Sequence, residues 1–291
     1  MALGGDDRQN AAPSRERGMN QTALDGEDNE LRASVSPLFN QSLAKAFGIL
    51  EAFSIDRRSM NLPELAAITG LSKSAVQRLT FTLESLGYLR KDPASKRYSV
   101  TPRTLELGMR YTTTSSLIES ASPYLLDLNI KCGETVNLSE PDGLNMIFVS
   151  GYPGRRQISV QLPVGSRFPI YCTAAGRAFL SGSTTERVES IIGSSKIRSY
   201  TPNTILDRAE IIRLVDDARM AGFAFANGEF YRGDINIAAP VLGADGHAVA
   251  AVGVSVPVTR WTFENACADI APQVTEAAQT ISSLFAPRRP V

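Results

Sequence analysis

The chain has 291 residues, 43% apolar and 21% charged, and its 30 basic and 30 acidic side chains cancel. That length predicts two modest domains or one large one with an ordinary globular core, and the neutral balance excludes a chain that is basic throughout. No apolar run approaches the roughly 20 residues of a membrane span, and Asp6 and Asp7 precede any signal-like apolar core, so the expectation is a cytoplasmic protein with no membrane partner.

Residues 1–36 hold four basic and seven acidic side chains and little apolar material, and read as a disordered tail. Residues 42–53 read as an amphipathic helix with a stripe of Leu43, Ala46, Phe47, Leu50 and Phe53. Phe47 and Phe53 are assigned to the core of a three-helix unit, with a dimer contact as the alternative.

Two short helices joined by a tight turn follow. Leu62, Leu65 and Ala66 share a face of the first. Pro63 suits a helix start and Gly70 a helix stop. Ser72 can cap the second helix, where Val76, Leu79, Leu83 and Leu86 form the buried stripe. Lys73, Ser74, Gln77 and Arg78 lie off that stripe. An apolar back with a Ser, Lys, Gln and Arg front suits a DNA major groove, where Arg or Lys bonds guanine and Gln bonds adenine. Such a helix reads bases mainly with its N-terminal residues, so Ser72, Lys73, Ser74, Gln77 and Arg78 are the candidate contacts. Residues 87–100 read as a hairpin wing turning at Asp92-Pro93-Ala94-Ser95. Lys96 and Arg97 on it are candidates for phosphate or minor groove. Residues 72–103 hold seven Lys or Arg against Glu84 and Asp92, a local charge of +5 in a neutral chain. Residues 39–101 are therefore read as a winged helix-turn-helix domain.

Residues 102–121 are read as a linker helix carrying Leu105, Leu107, Met109 and Tyr111, weakened at Thr112-Thr113-Thr114-Ser115-Ser116 by poor helix propensity. Residues 122–286 form the second domain, with a helix starting at Ser122-Pro123. Strands are expected at 134–140, 145–152, 157–162, 223–226, 235–242 and 248–257, and helices at 173–180, 184–192, 207–221 and 263–285. Gly243-Ala244-Asp245-Gly246 joins the last two strands as a hairpin. Hairpins followed by helices, without steady strand–helix–strand alternation, predict an α+β two-domain chain with a largely antiparallel sheet.

Signatures of catalysis are missing. There is no G-x-S-x-G elbow, P-loop or dinucleotide fingerprint. Cys132, Cys172 and Cys267 are far apart and His247 is the single histidine, so no zinc cluster or Cys/His dyad is expected. Cys172 reads as a small buried residue. The expectation is a non-enzyme with no cofactor and no metal. Thr173, Ala174 and Ala175 open a helix through small residues, where backbone N–H groups favour anions and a ligand could come close; read alone, plain packing of a helix start on the sheet accounts for them better.

Residues 42–103, with Gly70-Leu71-Ser72-Lys73-Ser74-Ala75-Val76-Gln77-Arg78-Leu79 and Leu86-Gly87-Tyr88-Leu89, resemble the winged helix-turn-helix of the IclR family of bacterial transcription regulators. Gly165-Ser166-Arg167-Phe168-Pro169 and residues 229–241 resemble that family's effector-binding domain. The resemblance implies a six-stranded, GAF-like effector domain with flanking helices, a double-stranded operator as partner, and a homodimer or homotetramer. It also implies an effector site at Val160, Phe168, Thr173, Ala174, Ala175, Ala226 and Asn236. Tyr171 and Arg177 stand where the family often has histidine and lysine, Ala226 where it can have aspartate, and Asn236 where it can have cysteine. Those departures, with Phe168 and Tyr171, suggest a larger and partly apolar carboxylate, such as an intermediate of aromatic catabolism, rather than a short 2-oxo acid. The rival reading is a small-molecule enzyme or sensor that uses its winged helix as a protein-interaction module. The Ser/Lys/Gln/Arg helix front and the basic wing argue against it.

Overall fold

The computed structural model describes residues 36, 38–156, 160 and 162–285. Nearly all of the expected acidic tail and most of the expected strand at 157–162 lie outside the described residues.

Local chemistry sets the ends of the first helices. Asn40 caps α1 (Gln41–Glu51) by accepting from the Ser42 and Leu43 N–H groups. α2 (Leu62–Thr69) starts with a capping box, Asn61 against the Glu64 N–H and the Glu64 carboxylate against the Asn61 N–H, and stops at Gly70 with φ +68°. Ser72 caps α3 (Lys73–Ser85) through the Ala75 N–H. The wing is an antiparallel hairpin of β1 (Leu89–Lys91) and β2 (Tyr98–Val100). At its tip one Asp92 oxygen accepts from the Ala94 N–H, the Ser95 N–H and the Ser95 hydroxyl. Ile49, Leu65, Val76, Leu83, Leu89 and Tyr98 make the core of this unit. The first helix departs from expectation: Phe47 is 47% exposed and Leu43 58%. α1 has two apolar edges. The core takes the edge with Ile49, Ala52 and Phe53, and leaves Leu43 and Phe47 facing out.

α4 (Arg103–Thr114) runs through the threonines expected to weaken it. Thr113 and Thr114 donate back to the carbonyls of Met109 and Arg110, which keeps their hydroxyls satisfied within the helix. The break falls at Ser115, which caps α5 (Ser116–Cys132). That helix starts at Ser116 rather than Ser122 and carries Pro123 inside it.

The second unit is one six-stranded sheet, entirely antiparallel: β3 (Thr135–Asp142), β4 (Asn145–Tyr152), β5 (Arg167–Pro169), β6 (Ala224–Asn227), β7 (Asp234–Leu242) and β8 (Ala248–Pro257), in the order β5-β4-β3-β8-β7-β6. β5 was not expected, because three residues ending in proline leave no periodic signal. The two faces differ in chemistry. Val136, Leu138, Ile235, Ile237, Val252, Val254 and Val256 pack under α5 and α9 (Phe263–Ser283) in a wholly apolar layer. Their alternates Thr135, Asn137, Ser139, Asp234, Asn236 and Ser255 turn to the opposite face. That face is covered by α6 (Ala174–Ser181), with α7 (Thr185–Ser194) and α8 (Arg208–Ala221) outside it.

Every residue of α6 is buried, and Gly176 explains how close it sits. A Cβ built there would lie 1.9 Å from the Ile170 carbonyl oxygen. Gly193 in α7 has no neighbour within 4 Å of its Cβ position. Gly176→Ala should therefore cost about 2 kcal/mol or more by overpacking. Gly193→Ala should stabilise by about 0.5–1 kcal/mol through helix propensity. Urea unfolding checks both, and equal effects at the two sites would contradict the packing described.

Candidate nucleic-acid interface and ligand cavity

α3 buries Val76, Thr80 and Leu83. A helix so held leaves its opposite side free, and Ser72, Lys73, Ser74, Gln77 and Arg78 are all exposed there. Ser72 and Ser74 share a hydroxyl contact at 3.1 Å at the start of the helix. The wing supplies exposed Arg90 and Lys96, with Lys96 in the left-handed region at φ 59°. Lys91 packs over the Tyr98 ring at 5.4 Å.

Arg97 differs from the expectation of a free wing cation. Its Nε donates to the Ser59 hydroxyl at 3.0 Å, one Nη to the Ser59 carbonyl at 2.7 Å, and the guanidinium pairs with Glu64 at 2.8 Å. The sequence places these residues 33 and 38 positions apart, so nothing local announced the contact. Glu64 is also the capping-box acid of α2, and the Asn61 N–H together with Arg97 holds its carboxyl below the usual range. Arg97 thus ties the wing to the start of α2.

Beneath α6 the polar face of the sheet encloses a cavity of about 40 Å³, lined by Asn137, Leu162, Phe168, Cys172, Thr173, Ala174, Ala175, Ala226, Glu229, Phe230, Tyr231, Asp234 and Asn236. Six of the residues singled out from sequence meet here: Phe168, Thr173, Ala174, Ala175, Ala226 and Asn236. Val160 is not among the lining residues; its carbonyl accepts from the Thr135 hydroxyl at 2.6 Å, and Leu162 lines the wall. Tyr171 also turns away. Its hydroxyl donates to the Arg198 carbonyl and accepts from the Arg198 N–H, while Cys172 faces the space. Burial pushes the Cys172 thiol well up, which makes it an inert lining residue.

Thr173 caps α6 by accepting from the Gly176 N–H at 3.2 Å. Ala174 and Ala175, whose N–H groups belong to the first turn of the helix, both line the cavity. Arg177, one turn further, is 1% exposed, and it donates through both Nη atoms to the two Glu229 oxygens at 2.6 and 2.5 Å. It also donates to the Phe225 carbonyl at 3.0 Å. The pair ties α6 to the loop between β6 and β7 and engages both Nη atoms, while the buried Arg177 Nε has no hydrogen-bond partner. Phe230 closes one side, its ring 6.2 Å from Phe168, 4.7 Å from Tyr200 and 4.6 Å from Tyr231.

On the sheet side a short polar chain crosses two strands. Ser255 donates to Asn236 Oδ1, and Asn236 Nδ2 donates to Asp234 at 2.8 Å. Ala226 stands beside Asn236 in register, so no bulk fills that corner. Asp234 is 4% exposed, and burial pushes its carboxyl up to about 6. Asp234, Asn137, Phe230 and the Arg177–Glu229 pair were missed from sequence. The alternation of Asp234 and Asn236 with Ile235 and Ile237 was a usable signal, because polar positions at strand spacing mark a face that needs partners or water.

Residues 42–93 match the IclR helix-turn-helix domain and residues 109–283 match the bacterial transcriptional regulator IclR C-terminal domain. The chain is 30% identical over 227 residues to the Pca regulon regulatory protein of Pseudomonas putida, covering 78% of this chain and 77% of that one. A structure from Rhodococcus sp. RHA1, described as a transcriptional regulator, superposes with a TM-score of 0.74 at 31% identity, over 85% of this chain and 98% of the other. An IclR homologue of Microbacterium hydrocarbonoxydans, solved with 4-hydroxybenzoate, shares the fold at 21% identity and a TM-score of 0.69, over 84% of this chain and 98% of its own. Both domains are thus shared with proteins named as regulators, and the chain belongs to the IclR family of DNA-binding bacterial transcriptional regulators.

Proposed function

We propose that the chain reads an operator with Ser72, Lys73, Ser74, Gln77 and Arg78 in the major groove and Lys96 on the adjacent backbone. Arg97 serves as the residue that positions the wing. The observation that carries this reading is the exposed Ser/Lys/Gln/Arg front of α3, backed by Val76, Thr80 and Leu83. The chain acts as a homodimer or a homotetramer. Leu105 and Met109 on α4, and Leu43 and Phe47 on α1, are apolar and exposed in the single chain, and a second copy would cover them. A monomer in analytical ultracentrifugation would remove this part of the reading.

The cavity takes a small effector with an anionic group at the first turn of α6. The Ala174 and Ala175 N–H groups, with Leu162, Phe168 and Phe230 around them, support a partly apolar carboxylate. The solved homologue with 4-hydroxybenzoate supports the same class by analogy. A space of about 40 Å³ holds only a few waters, so such a ligand enters by displacing lining side chains. The effector changes DNA binding only insofar as it binds the operator-competent state with a different affinity from the other.

Binding of the full chain to DNA upstream of its gene, measured across a salt series, tests the reading. Phosphate contacts predict a steep linear fall of log affinity with log salt, and a flat dependence would favour the protein-interaction alternative. Arg78→Ala should cost roughly 1–3 kcal/mol on operator and much less on random DNA. Glu64→Gln removes an acid near the DNA face, so simple electrostatics predicts tighter binding. The brace to Arg97 predicts weaker operator binding instead.

Asp234 has its own consequence for stability. Its folded pKa of about 6 lies above its ordinary value of 3.8, so the native chain holds this proton more tightly than the unfolded one. The ionised carboxylate therefore penalises the fold above about pH 6, and the penalty fades as pH falls toward 4. Asp234→Asn should stabilise the protein by on the order of 2–3 kcal/mol at pH 7.5 and by little at pH 4. Unfolding midpoints at the two pH values check this, and an equal shift at both would contradict it.

A further inference from the structure

We propose that Asp234 is a specificity-determining residue of the cavity, selecting effectors that carry a hydrogen-bond donor, a hydroxyl or an amine, in addition to their carboxylate. The proposal rests on the effector-site reading above and assigns the second functional group of the ligand.

The Asp234 carboxylate is buried in the cavity wall, and Asn236 is its one side-chain hydrogen-bond partner among the described residues. A carboxylate has room for about four hydrogen bonds, so much of its accepting capacity is unused. The orientation of Asn236 is set from behind. Its Oδ1 is taken by the Ser255 hydroxyl, which leaves Nδ2 for Asp234. The cation nearest in role, Arg177, has both Nη atoms on Glu229, and only its buried Nε is without a partner. Among the described residues, the wall on β7 is therefore acidic and has no cation paired with Asp234.

A ligand carboxylate placed against that wall would meet like charge in a space that excludes most water. A ligand O–H or N–H would instead complete the shell around Asp234. The anion-favouring groups lie on a different element, at the Ala174 and Ala175 N–H groups of α6. The two walls thus ask for different chemistry in one molecule, an anion toward α6 and a donor toward β7. Ala226, beside Asn236 on β6, leaves the donor corner unfilled.

Calorimetric titration of the full chain with matched pairs tests this: benzoate against 3- and 4-hydroxybenzoate and 4-aminobenzoate, and hexanoate against 6-hydroxyhexanoate. The expected result is that at least one donor-bearing acid binds about ten-fold or more tightly than its parent, because an unmet buried acceptor strongly penalises the analogue that lacks the donor. Asp234→Ala should close that gap. The isosteric Asp234→Asn, whose oxygen faces Asn236 and whose NH₂ then faces the cavity, should favour the parent acid. Circular dichroism confirms that each variant is folded. The proposal is overturned if the parent acids bind wild type as tightly as their donor-bearing partners, or if the preference survives in both variants. Binding by none of these acids would overturn it together with the carboxylate-effector reading. Tight binding without dependence on Asp234 would leave that reading standing and remove only this inference.

Discussion

A helix thirteen residues long can give only one side to a core, and α3 gives Val76, Thr80 and Leu83. Everything proposed for DNA follows from that constraint. Fixing those three residues fixes Lys73, Ser74, Gln77 and Arg78 on the outside, where their charge and amide groups stay hydrated and available. The wing is held to the same frame by Arg97 on Ser59 and Glu64, so its tip stands at a set distance from α3. Arg97, expected from sequence to touch DNA, is engaged with Ser59 and Glu64, and Arg90 and Lys96 are the exposed basic residues of the wing.

The second domain solves a different problem. Its sheet has one face that is oily and one that carries asparagines, serines and an aspartate, yet both are covered. Covering a polar face costs free energy unless its groups find partners. Some do, as in the Ser255–Asn236–Asp234 chain. The Arg177–Glu229 pair holds α6 over the remainder at two short contacts. Breaking such a buried pair leaves an uncompensated charge, typically at 3–5 kcal/mol, although replacing both partners by apolar groups can be nearly neutral. Its value here is geometric: it fixes the α6 start and the β6–β7 loop against each other as two walls of one cavity. A second buried acid, Glu134, accepts three hydrogen bonds from Arg260 and Trp261 and so has a cation at hand.

Sequence carried the local rules well. Ser72 caps the helix that its position announced, Gly70 stops α2 in the left-handed region, and β8 spans Ala248–Pro257 as its composition implied. What failed was information held between distant segments. Leu43 and Phe47 have the spacing of a core stripe, but α1 is apolar on two edges and only packing against α2 and α3 chooses Ile49. Arg177 and Glu229 are 52 positions apart, and no local pattern pairs them. Asp234 sat in a visible alternation, but period two normally means a solvated strand face. Only the placement of α6 turned that face into a lined space.

The two units meet in part at Tyr111 on α4, whose hydroxyl donates to Glu140 at the end of β3 at 2.6 Å. In the proposed reading, a ligand that shifts the sheet against the linker would reach the DNA-binding domain through this contact, provided the two arrangements bind it unequally. All of this presumes that α3 is the surface that meets DNA. The most direct measurement is hydrogen exchange of the full chain with and without the duplex from upstream of its gene. The account predicts new protection concentrated at residues 72–78 and 92–97. Protection confined to the sheet domain, or none at the start of α3, would contradict it.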